Sequence, residues 1–93
     1  MIVVNNNIEQ HELAYLYCPI GEYIGQITNV ISLLDVRRQI REGGKGGYVI
    51  HYYVKTGREI EHAATITIDA NGKLDNRPPG FFDKMDDLLD SLI

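Results

Sequence analysis

Tyr48-Val49-Ile50-His51-Tyr52-Tyr53-Val54-Lys55, the turn Thr56-Gly57-Arg58, and a second run from about Ile60 to Asp69 ending Ala64-Thr65-Ile66-Thr67-Ile68-Asp69 decide the fold of this chain. Both runs are rich in β-branched and aromatic residues, which suit a pleated surface. Side chains alternate across a strand, so Tyr48, Ile50, Tyr52 and Val54 share one face, and Val49, His51, Tyr53 and Lys55 the other. In the second run Ala64, Ile66 and Ile68 stand opposite Thr65, Thr67 and Asp69. Asn71-Gly72 follows and can supply the two positive-φ residues of a tight hairpin. Lys73 to Asp75 then begins a short returning strand.

Working outward, Met1-Ile2-Val3-Val4 has strand character and is stopped by three asparagines, Asn5 to Asn7. His11 to Cys18 fits a strand buried on both faces, and a short helix fits almost as well. Pro19 and Gly21 close it. Gln26 to Glu42 carries a helical pattern: Ile27, Val30, Ile31 and Leu34 form one stripe, with Leu33, Val36 and Ile40 beside it. The helix is expected over about residues 29–42, with Ser32 and Asp35 as a capping arrangement that would allow a start at Leu33. Arg37, Arg38 and Arg41 suit its C-terminal end, and Gly43-Gly44 stop it. Downstream, Asn76-Arg77-Pro78-Pro79-Gly80 reads as a rigid joint. A final helix over about 81–92 follows, with Phe82, Met85, Leu89 and Leu92 on one stripe and Asp83, Asp86, Asp87 and Asp90 opposite. The expected architecture is a single α+β domain, residues 1–93: a mainly antiparallel sheet of four or five strands carrying two helices on one face.

Ninety-three residues suit one thin-cored domain. One cysteine, Cys18, rules out an internal disulfide. No signal pattern and no long apolar run is present, so a cytoplasmic location is expected. Nine basic against thirteen acidic residues leave a net charge of −4, which lacks the positive field that drives phosphate-backbone binding.

Several motifs invite chemistry and are better explained without it. Gly43-Gly44-Lys45-Gly46-Gly47 could cradle phosphate, but a helix precedes it, a strand follows, and Lys45 lacks the Ser/Thr of a phosphate loop. It reads as a helix-to-strand connection. His11, His51 and His62 sit on three segments without zinc-site spacing, and Asp69 or Glu61 completes nothing the sequence demands. Cys18 before Pro19 reads as a small apolar residue. Ser32 and Ser91 lack a nucleophile elbow. Lys45 to Tyr52 bears a faint likeness to the RNA-binding strand of an RNA-recognition motif, but Tyr52 is the sole required aromatic present, and the match fails. The aspartates of the last helix form a straight row, which does not converge on a divalent ion.

Leu34-Asp-Val-Arg-Arg-Gln-Ile-Arg-Glu-Gly43, Tyr48 to Val54, Thr67-Ile-Asp69 with Asn71-Gly72, and Asn76-Arg-Pro-Pro-Gly-Phe-Phe-Asp83 occur here in order. That order resembles the C-terminal tail of predicted AAA/ABC-type ATPases, relatives of SMC-like and overcoming-lysogenization-defect proteins. The resemblance covers roughly residues 28–93, and Asn76 to Asp83 is its distinctive motif. It implies a detached tail: the Walker residues of those ATPases have no counterpart here, and their Thr-His-Ser-Glu switch is replaced by Ile27-Thr28-Asn29-Val30. Neither catalysis nor a cofactor is carried over.

The functional expectation is a non-enzymatic module without cofactor or metal. It binds a protein partner, such as an ATPase of that kind or a mobile-element or defence component, through Tyr52, Tyr53, Phe81 and Phe82. Asp83, Asp86, Asp87 and Asp90 form its steering face. Apolar surface beyond what two helices cover also points to a homodimer, by sheet-edge pairing or exchange of a terminal element. A nucleic-acid-associated regulator would use Arg37, Arg38, Arg41 and Lys45. A small-molecule or metal-binding protein would need His51, His62 and nearby carboxylates to converge in a pocket.

Overall fold

The structure is a computed structural model that describes residues 10–92. The expected strand at Met1–Val4 lies outside them. In chain order the elements are β1 (Gln10–Tyr17), β2 (Tyr23–Ile27), α1 (Val30–Gly43), β3 (Tyr48–Thr56), β4 (Glu59–Ile68), β5 (Leu74–Asp75) and α2 (Asp83–Leu92). The five strands form one sheet in the order β2-β1-β3-β4-β5, with every neighbour antiparallel. The fold is therefore α+β, as the hairpin pattern predicts.

The ambiguous segment is a strand because it is paired on both edges. β1 lies between β2 and β3, so its backbone groups find partners on each side. β2 corrects the sequence reading, which took Gln26 and Ile27 into the helical pattern. Ile27 instead faces Ala14 across the sheet and is buried there, a burial its hydrophobicity satisfies as well as a helix stripe would.

The helix starts at Val30, not Leu33. The Asn29 side chain accepts from the Ser32 N–H at 2.8 Å, and the Asn29 N–H donates to Ser32 Oγ at 3.2 Å, a reciprocal capping box. Gly44, at φ +64°, ends the helix and donates to the Arg41 carbonyl. The hairpin after β4 also differs from expectation. Gly72 alone of the Asn71-Gly72 pair has positive φ; its N–H reaches the Asp69 carbonyl at 3.0 Å, and the Asp69 carboxylate accepts from Asn71 and Lys73 N–H at 2.9 Å each. α2 begins two residues later than expected, leaving Phe81 and Phe82 in the turn before it.

All the buried strand side chains come from one sheet face: Ala14 and Leu16 of β1, Ile27 of β2, Ile50 and Tyr52 of β3, Ile66 and Ile68 of β4. Leu33 and Ile40 of α1, Phe81, and Met85 and Leu89 of α2 join them in a single core. Both helices thus cover the same side. Phe81 is fully buried and meets Tyr52 edge-on at 4.9 Å. The joint before α2 is pinned as the Pro-Pro-Gly-Phe-Phe run suggests, with the Phe81 N–H on the Pro78 carbonyl. Among the described residues no helix is long and apolar enough to cross a membrane.

Two β-bulges interrupt the alternation, and both matter for the other face. Leu16 pairs with Gly25 but Tyr17 pairs with Tyr23, leaving Ile24 as an extra residue. Tyr52 pairs with Ala64 but Tyr53 pairs with His62, leaving Ala63 extra. Strict alternation would place Tyr23 with Ile27, and His62 with Ala64 and Ile66, on the helix side. Each bulge turns its ring to the opposite side.

Candidate functional site

No described element covers the second face of the sheet, and this face carries a closed circuit of six aromatic rings. Tyr23 stands 6.2 Å from Tyr15, Tyr15 5.9 Å from Tyr53, and Tyr53 5.3 Å from His62. His62 is then 5.8 Å from His51, His51 4.9 Å from Tyr17, and Tyr17 5.6 Å from Tyr23. Four of these rings come from the central strands β1 and β3 by plain alternation. The other two, Tyr23 and His62, arrive through the bulges. Sequence reading found Tyr53 and the two histidines but assigned no role to Tyr15, Tyr17 or Tyr23. For Tyr15 and Tyr17 the available signal was their alternation with Ala14 and Leu16; for Tyr23, behind a bulge, alternation points to the wrong side.

The rings lean on one another at interplanar angles of 56° to 75°. The neighbouring rings thus pack tilted or edge-to-face, none of them stacked flat on the next. Tyr15, Tyr17, His51 and Tyr53 are half-buried, while Tyr23 is 57% exposed. His62 is exposed, its Nε2 3.0 Å from Thr65 Oγ1. Among the described strand side chains the rest of the face is Leu13, Gln26, Val49, Ile60, Thr65 and Thr67, with Lys55 and Asp75 at opposite ends of the sheet, where Asp69 and Lys73 of the hairpin lie beside Asp75. In a chain with thirteen acidic residues this is a nearly uncharged surface. An open depression of about 470 Å³ lies at one end, lined by Tyr17, Cys18, Pro19, Val49, His51 and Tyr53 among others. Cys18 is half-buried there with a free thiol, its backbone held in a turn by the Glu22 carbonyl.

The other expected sites fare differently. Tyr52 and Phe81 were expected as partner anchors; both are core residues, 4% and 0% exposed, and their rings are spent on each other. Phe82 is half-buried against Tyr52, also on the helix side. Asp87 is exposed, and the side chains of Asp83, Asp86 and Asp90 lie outside the described set. The four cations expected as a nucleic-acid patch differ in their surroundings. Arg37 is half-buried and its Nε–H is engaged by the Gly72 carbonyl. Burial, then Arg41 and Arg77, push the Arg37 guanidinium below its ordinary value, against a smaller opposing pull from Asp69. Arg38 pairs with Asp35, whose hydrogen bond holds it above its ordinary value. Arg41 and Lys45 are exposed.

His51 and His62 do meet, but among the described residues no three His, Cys, Asp or Glu side chains form a group able to hold a metal. The glycine run has structural work. Gly44 caps α1, and the Gly47 N–H donates to the Ile68 carbonyl at 2.9 Å.

Residues 48–92 match the family model described as "Protein of unknown function (DUF3696)". No curated protein and no solved structure matches the chain. The matched stretch takes in β3, β4, β5 and α2, hence His51, Tyr53 and His62, whereas Tyr15, Tyr17 and Tyr23 precede it.

Proposed function

We propose that this domain is a non-enzymatic protein-interaction module whose contact surface is the uncovered sheet face. The observation that carries the reading is the closed circuit of six rings on a nearly uncharged face, two of them delivered by bulges. Protein interfaces are enriched in tyrosine and depleted of charge at their centre, and a large exposed aromatic patch marks such a site. A partner fitting this face is apolar, with donors and acceptors for tyrosine hydroxyls and imidazoles. The tail resemblance makes an ATPase of that kind a heterologous partner to look for, and a mobile-element or defence setting the place to look.

The test is capture of protein partners by the intact chain and by two variants. The Tyr15→Ser/Tyr53→Ser double variant is expected to lose the partner, whereas Arg38→Ser on the helix side is expected to keep it. A partner retained by the double variant but lost by Arg38→Ser would place binding on the helices and refute the reading.

A further inference from the structure

We infer that the partner of the ring-bearing face is a second copy of this chain, seated face to face in a two-fold dimer; the inference rests on that face being a protein-contact surface. A two-fold contact sets a surface against itself, so each charge near the axis meets its own sign. In a chain of net charge −4, a surface with few charges is therefore the one best suited to meet its own copy. The uncovered face is one, because among its described strand side chains the charges are Lys55 and Asp75, at opposite ends with the rings between them, and the hairpin beside Asp75 carries Asp69 and Lys73 of opposite sign.

The same face is self-complementary in hydrogen bonding. Tyr15, Tyr17, Tyr23 and Tyr53 bring hydroxyl donors, and His51 and His62 bring ring nitrogens, so both halves of a tyrosine–histidine pair are present on each copy. Area is sufficient: strands about 4.8 Å apart, three of them eight to ten residues long and two shorter, give roughly 1,000–1,200 Å² buried between two copies, the low end of stable interfaces. The sheet edges offer less. β5 is two residues long and β2 five with a bulge, and short, bulged edges resist edge-to-edge pairing. Face-to-face packing therefore replaces edge pairing as the mode of association.

Sedimentation equilibrium of the intact chain, from about 1 to about 500 µM, tests this directly. Wild type is expected to pass from monomer to dimer within that range. Tyr23→Glu puts a carboxylate at an already exposed position, so the monomer still folds while the dimer acquires two buried charges. Its dissociation constant is expected to rise at least about tenfold. Ile31→Ser, at a 78% exposed apolar position on α1, is expected to leave the dimer unchanged. A wild-type chain that stays monomeric throughout overturns the inference, as does a dimer dissolved by Ile31→Ser and not by Tyr23→Glu. The parent reading is decided separately: a monomeric chain whose Tyr15→Ser/Tyr53→Ser variant loses a heterologous partner would keep the contact surface and change only its occupant.

Discussion

A methyl group added at Gly46 would stand 2.5 Å from the Ala70 backbone nitrogen, inside any real carbon contact, whereas one added at Gly43 meets nothing within 4 Å. Gly46→Ala is therefore expected to cost about 1–3 kcal/mol in a denaturation experiment, and Gly43→Ala to be close to neutral. The glycine run was legible as a helix-to-strand connection, but which glycine lacks room depends on the hairpin at Asp69, far away in sequence. The aromatic residues divide in the same way. Phe81→Ala, at a fully buried site, is expected to lose about 3–5 kcal/mol. Tyr53→Ser, at a half-buried position on the uncovered face, is expected to lose less than about 1 kcal/mol. Equal losses at the two positions would show that Tyr53 serves the core. Sequence alone grouped Tyr52, Tyr53, Phe81 and Phe82 as anchors, because composition does not say which side of a strand meets a helix. Only the positions of α1 and α2 settle that.

At the scale of elements, the bulges carry most of what the sequence left hidden. Alternation through β3 and the end of β4 was legible and correct. It failed at His62 because one extra residue, Ala63, reverses the side on which everything before it points. The same holds for Tyr23 behind Ile24. A cross-linking experiment checks the register in a Cys18→Ser background. Tyr53→Cys with His62→Cys is expected to form a disulfide on oxidation, since these residues face each other across the sheet. Val54→Cys with His62→Cys is the pair that an uninterrupted register would join, and it is expected to stay reduced. β2 was missed for a related reason: Ile27 fits a helical stripe and a strand face equally well, and only the Asn29–Ser32 cap places the boundary after it.

Across the whole molecule, a one-sided α+β sheet has both helices on one face and four tyrosines and two histidines on the other. The architecture followed from the alternating strands and amphipathic helices. The site did not, because it joins residues from four strands through pairings that only the assembled sheet defines. In the proposed dimer, two copies of this chain meet through their ring-bearing faces. The most direct measurement is the dilution dependence of the ring NMR signals of Tyr15, Tyr17, Tyr23, His51, Tyr53 and His62. Shifts confined to these six residues and their strand neighbours, with Tyr52, Phe81 and the α1 arginines unmoved, are the predicted result. Shifts confined to α1 and α2, or none at any concentration, would contradict it.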